Sequence, residues 1–287
     1  GSEMCIRDRS YTDVNKIITL KDPEKTEEYK EFVQMFFDMK AVADLLRAKR
    51  RKRGSIDFDF PETKVILDTQ GHPVEIKPYD RNPATKIIED FMLAANETVA
   101  QDYFWQELPF VYRTHEVPDT EKIKKLSTFI NNFGYHIHMG NEIRPKEIQK
   151  LLEKVEGTPQ EALISRLALR SMKQARYTPE NAGHFGLAAQ YYTHFTSPIR
   201  RYPDLQIHRI IKENLRGRLS DDRMAHYEKI LQEVATQSSE MERRAEEAER
   251  ETVKLKKVEY MQDRIGEEFE GVISGITTVS YTHLTLP

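Results

Sequence analysis

Residues 221–262 carry one helical period without a break. Met224, Tyr227, Leu231, Val234, Ser238, Met241, Ala245, Ala248, Thr252 and Leu255 alternate by three and four. Such a run predicts a single long helix. Its small members, Ser238, Ala245, Ala248 and Thr252, favour close packing onto a core over a free coiled coil. The rest of the chain must therefore supply a surface for that stripe.

The remaining pattern mixes helices with short strands. Residues 24–52 read as a helix, with Phe32, Met35, Phe36, Met39, Val42, Ala43 and Leu46 at helical spacing, stopped by Gly54 after the basic run Arg50–Arg53. Ser55–Phe60 alternates strictly and predicts a strand. Val65–Leu67 and Val74–Ile76 flank Thr69–Pro73, a hairpin pattern. A helix is expected from Pro83 to Gln106, a strand at Phe110–Arg113, and helices near 119–133, 145–155 and 159–175. Thr196-Ser197-Pro198 should open a further helix, because proline is favoured near a helix start. Gly266–Gly275 reads as the first strand of a new small β domain. The fold class is α+β.

Length and composition narrow the class. The 287 residues allow one large domain or two ordinary ones. A mean hydropathy of −0.68 fits a polar-rich chain, while 13 Phe and 13 Tyr argue against disorder. No apolar run approaches about 18 residues, so no membrane helix is expected, and no signal-peptide core is visible. The single cysteine, Cys5, excludes an intramolecular disulfide and a cysteine-based zinc site. A cytoplasmic monomer is the expectation. The net charge is −3, but it is segregated: ten Lys and Arg between Arg166 and Arg218 face only Glu180, Asp204 and Glu213, a local net of +7. Such a block suggests an anion-binding surface.

The most specific string is Gly183-His184-Phe185-Gly186-Leu187-Ala188, followed by His194-Phe195-Thr196-Ser197-Pro198-Ile199-Arg200-Arg201-Tyr202-Pro203-Asp204-Leu205. Read alone, it puts two arginines one turn into a helix whose dipole attracts anions. The competing reading is an ion pair of either arginine with Asp204 at helical spacing.

Taken whole, that string closely resembles the RNB catalytic domain of the ribonuclease R and ribonuclease II family. Further parts occur in the family's order: Gly54–Phe58, Ile88–Asn96, Tyr112–Glu116, Leu169–Ala175 and Glu242-Arg243. The resemblance covers most of residues 10–280. It implies a mixed or antiparallel sheet wrapped by helices, with 10–264 as the C-terminal part of the catalytic domain. Residues 265–280 would open an S1-type barrel, and 1–9 and 281–287 would be non-native flanks.

The family implies a processive 3′→5′ exoribonuclease that acts on single-stranded RNA and releases nucleoside 5′-monophosphates. Arg200 would contact the scissile phosphate, facing a cavity shared with Phe58 and Glu89. Phe58 would stack on a base near the 3′ end, and Glu89 would hydrogen-bond the terminal sugar. Glu242 would lie near the product end, with Arg201 and His184 as backbone contacts. Read without the family, Phe58 is a core residue, Glu89 a solvated helix residue, and Glu242 a partner of Arg243 on the surface. His115 and His184 are then structural histidines, and Arg47–Arg53 a solvated face or a track for phosphates.

The resemblance also implies Mg²⁺ held by closely spaced aspartates upstream. Nothing in this chain matches that segment, since Asp57 and Asp59 align with the strand of Phe58. No metal ligand is assigned, and the chain alone is expected to be inactive. A non-catalytic single-stranded RNA-binding module and a helical scaffold remain as rival classes.

Overall fold

The computed structural model describes residues 10–57, 63–78, 81–140, 142–269, 272–273 and 284–285. In chain order the elements are α1 (Tyr11–Asn15), a π-helical turn (Lys16–Leu20), α2 (Pro23–Glu28), α3 (Val33–Arg53), β1 (Thr63–Leu67), β2 (Pro73–Pro78), α4 (Pro83–Trp105), β3 (Tyr112–Thr114), α5 (Thr120–Asn131), α6 (Pro145–Val155), α7 (Glu161–Ser171), β4 (Arg176–Thr178), α8 (Tyr202–Leu215), α9 (Asp221–Gln262), β5 (Val272–Ile273) and β6 (Leu284–Thr285). The strands form three antiparallel pairs, β1–β2, β3–β4 and β5–β6. The α+β class is therefore borne out. A single larger sheet is not found among the described residues, and no barrel is described around β5. No helix of the described residues is long and apolar enough to cross a membrane.

Three apolar clusters hold these elements. The first gathers Ile17, Ile18, Tyr29, Phe36, Ala43 and Ile87. The second joins α5, α6 and α7 through Ile123, Ile130, Ile148, Leu151 and Ile164, and takes in Ile56 and Phe185. The third packs the end of α4 and β3 against α8 and α9, through Ala100, Phe110, Val111, Ile207, Ile210 and Leu231.

Several expected boundaries move, each for a local reason. The helix expected over 24–52 breaks at Tyr29, which leaves the helical path to bury itself, edge-on to Phe36, in the first cluster. α3 then runs to Gly54, whose φ of +106° and close approach to α6 both require glycine: an added Cβ would lie 3.0 Å from Lys146 Cβ. Gln149 of α6 donates to the carbonyls of Arg51 and Ser55, satisfying that helix end. Ser55–Asp57 form no strand; Ile56 instead donates its N–H to the Gly186 carbonyl. The rest of the expected strand, including Phe58 and Asp59, lies outside the described residues. α7 stops at Ser171, four residues early, because Met172 turns into the second cluster and frees Arg176–Thr178 to pair with β3.

The helix α9 is continuous, about 63 Å long at 1.5 Å per residue, but of the expected stripe only Tyr227 and Leu231 are buried, and the buried line continues one residue on, through Ala235 and Ser239. Tyr227, Leu231, Ala235 and Ser239 face the core, and Ser239 Oγ accepts the Tyr177 N–H. Beyond Glu242 the stripe faces solvent, with Leu255 64% exposed. The third cluster ends there, and the far end of α9 makes polar contacts instead. Lys256 donates to the Gly71 carbonyl and Lys257 to Thr63 Oγ1, both on the β1–β2 hairpin.

The basic run at the end of α3 is split: Lys49, Arg51 and Lys52 are exposed, whereas Arg47, Arg50 and Arg53 are taken up by carboxylates of α4. Arg47 and Arg50 both donate to Asp90 of α4, whose side chain is 2% exposed. Arg53 makes a two-pronged pair with Glu97. Removing the carboxylate would strand two guanidinium groups against α4. Asp90→Ala should therefore lower the unfolding free energy by about 3 kcal/mol, read by urea denaturation; a change within about 0.5 kcal/mol, as surface sites give, would contradict this role.

Candidate active site

The string from His194 to Asp204 folds around one carboxylate. Asp204 is fully buried, and its Oδ2 accepts both the Ser197 N–H and the Arg201 side chain, each at 2.8 Å. Ser197 O in turn accepts from the N–H groups of Arg200 and Arg201. The turn is thereby closed before α8 begins, with Arg201 at the N-cap and Pro203 in the first turn. The two arginines thus precede the helix instead of lying one turn inside it, and Pro198 is not its opening residue. The ion-pair reading holds for Arg201. Arg200 is exposed, and among the described residues its side chain has no hydrogen-bond or ion-pair partner.

A groove of about 260 Å³ lies between the first turns of α4 and this string. Thr85, Glu89, Met92 and Asn96 form one wall; Tyr192, His194, Thr196 and Arg201 form the other. Asn96 ties the walls together, donating to the Tyr192 hydroxyl and accepting the Phe195 N–H. Three buried polar atoms here, Thr196 Oγ1, Arg201 Nε and Asp204 Oδ1, have no hydrogen-bond partner. Unmet polar groups of this kind are costly in a folded core and point to a bound polar group or water.

The expected site residues are distributed as follows. Glu89 and Arg201 line the groove together. Glu89 is not simply solvated, because Arg81 grips both of its oxygens. Arg200 adjoins the groove without lining it, so the cavity expected to be shared by Arg200 and Glu89 is formed with Arg201 instead. Glu242 pairs with Arg113 of β3, not with Arg243. Arg113 also lies over the Tyr177 ring at 4.6 Å. The Tyr177 hydroxyl lies 2.8 Å from His194 Nδ1 and 3.4 Å from Glu242 Oε1. Glu242 is thus connected to the groove through Tyr177 and His194. Phe58 lies outside the described residues.

His184 sits in the bridge between residue 115 and the 183–189 turn. Its backbone exchanges hydrogen bonds with Ala189, and its Nδ1 accepts the Leu187 N–H. The ring meets His115 at 5.0 Å and Tyr192 at 5.1 Å, both edge-on. Burial, with the charges of His115 and Arg113, holds the His184 imidazole down at about 3. Burial first, then Arg201, Arg113 and Arg200, also holds His194 far below the ordinary imidazole value.

Asn96, Tyr192 and His194, which the motifs carry without a role, also line the groove. An asparagine inside an otherwise apolar helical stretch was the available signal for Asn96, since a buried amide there needs a partner. The carboxylates do not fit a divalent ion. Among the described residues no three His, Cys, Asp or Glu side chains converge to hold one. Asp90, Glu89, Asp204 and Glu242 are each held by arginine.

A family model described as the RNB domain matches residues 5–217. The chain is 43% identical over 284 residues to ribonuclease R of Aquifex aeolicus (strain VF5), covering 97% of this chain and 40% of that protein. It is 45% identical over 270 residues to ribonuclease R of Thermotoga maritima, covering 93% of this chain and 38% of that protein. The solved structure of Mycoplasma genitalium RNase R, in complex with ribose-methylated single-stranded RNA, matches with a TM-score of 0.86 and 28% identity, over 95% of this chain and 42% of that one. The chain spans at most 40% of the length of these two curated relatives.

The histidine environment gives a pH dependence. An unfolded chain protonates His184 near the ordinary value of about 6.5, whereas the folded chain does so at about 3. The unfolded state binds more protons between those values, so stability falls as pH drops through that window. His184 contributes at most about 1.4 kcal/mol per pH unit. Urea midpoints taken from about pH 7 down to about pH 4 should fall steadily, and His184→Gln should flatten the slope; an unchanged slope would contradict the assignment.

Proposed function

The chain belongs to the RNB domain family, and from that membership we propose that it is part of a processive 3′→5′ exoribonuclease of ribonuclease R type. Its substrate is single-stranded RNA and its products are nucleoside 5′-monophosphates. The observation that carries this reading is the exposed, unpaired Arg200 held beside a groove that Arg201 and Glu89 line from opposite walls. A guanidinium with all its donors free suits a phosphate, which it can meet in two-pronged fashion. There it would stabilise the charge that builds on the phosphoryl oxygens. Arg201, fixed by Asp204, offers a second positive charge along the backbone.

Glu89 accepts from the terminal ribose, and a carboxylate contact to the 2′-hydroxyl separates RNA from DNA. Phe58 stacks on a base near the 3′ end. Glu242 marks the product end, held by Arg113. His184, edge-on to Tyr192 of the groove wall, is a further contact to the RNA backbone by this reading. The reading places the protein in the cytoplasm as a monomer.

The nuclease chemistry of the family fits a divalent metal, Mg²⁺ by this reading, which supplies an activated water and charge neutralisation at the phosphate. Among the described residues the acids around the groove are committed to arginines, so by this reading the ligands are aspartates outside them. This chain by itself then holds RNA without cleaving it. The same commitment favours a second reading, a non-catalytic RNA-binding module.

The test uses a 5′-labelled oligoadenylate, Mg²⁺ and the purified chain. Binding should occur and weaken steeply with salt. Arg200→Ala should reduce the slope of log affinity against log salt by about 0.7, the loss of one phosphate contact on a single strand. Metal-dependent laddering that Arg200→Ala abolishes would overturn the inactivity of the chain. Absent or salt-independent binding would overturn both readings.

A further inference from the structure

A second, larger groove lies away from the first and shares no lining residue with it. It measures about 880 Å³ and opens between the end of α4, the segment leading into β3, the turn after β4, and α9. Its floor is aromatic. Phe104 and Tyr191 meet at 4.8 Å, Phe104 and Trp105 edge-on at 5.5 Å, and Trp105 and Tyr191 at 6.2 Å. Trp105 is 68% exposed, whereas tryptophan is on average a highly buried residue.

Glu107, Glu180 and Glu228 also line the groove, and all three are exposed. Among the described residues none of them has an ion-pair partner, and no Lys, Arg or His lines the groove. In the first groove, by contrast, the one acid among the lining residues, Glu89, is held by Arg81.

We propose that this face docks an arginine- or lysine-bearing segment of a partner protein. A cation over the face of Trp or Tyr is attracted by the ring quadrupole, and the three carboxylates around it add the complementary charge. The apolar strip between them suits the aliphatic stem of a long basic side chain. Nucleic acid is disfavoured, because three unpaired carboxylates repel phosphates. The spread of the acids around an open groove suits an extended peptide better than a compact ion.

Trp105 is the sole tryptophan of the chain, so its emission reports on this face alone. The probe is an acetylated, amidated peptide with two arginines flanking a leucine, titrated into the full chain. A saturable change in Trp105 emission is expected, absent with the same peptide carrying glutamate for arginine. Glu180→Gln and Glu228→Gln should each weaken binding by about fivefold, the size of an exposed charge contact. Both should leave oligoadenylate binding and the far-ultraviolet circular dichroism unchanged.

No saturable response to the arginine peptide would overturn the proposal, as would equal affinity in the two glutamine variants. Equal affinity for spermidine would assign the face to a small polyamine instead. An emission change that follows protein concentration without peptide, with a dimer in light scattering, would assign it to a second copy of the chain.

Discussion

The buried carboxylate of Asp204 sets the geometry on which the candidate site depends. One of its oxygens holds a backbone N–H of the turn and the guanidinium of Arg201 together. An ion this deeply desolvated is tolerated only with such partners. By fixing Arg201 and the turn, Asp204 leaves Arg200 as the adjacent cation with no intramolecular acceptor. Two neighbouring arginines thus acquire different roles from a single acid three residues downstream of the second.

The same accounting applies to the basic block. Its net charge overstates what is available to an anion. Lys173 and Arg176 both bind Glu116, which they hold at about 2, and Arg201 is taken by Asp204. In the other direction, Glu213 is neutralised by Arg223 from outside the block. What matters for a polyanion is which cations remain unpaired, and the linear charge pattern cannot give that.

Local periodicity made much of the fold legible. α4, α6 and the β1–β2 hairpin fall where spacing and turn residues put them, because each is decided within one turn or one strand pair. The failures share a cause in tertiary contact. Tyr29 breaks a helix to reach a cluster built from Ile17 and Ala43, and Met172 ends one to fill another. The exposed half of α9 has an apolar stripe of the right period with no core beside it. At the site, the Arg201–Asp204 pair was legible at helical spacing. The Arg113–Glu242 pair was not, because 129 residues separate its members and they meet only where β4, the partner strand of β3, packs on α9.

The length of α9 has an evolutionary consequence. Near its middle Glu242 meets Arg113, and four turns later Lys256 and Lys257 meet the hairpin that follows position 58. A straight helix advances by a fixed angle of about 100° per residue. Inserting or deleting one amino acid between these anchor points would swing one set of contacts a quarter-turn away from its target while the other stayed put. Substitutions along the solvent-facing interval are cheap by comparison. Drift in this stretch should therefore change letters freely while its count stays locked.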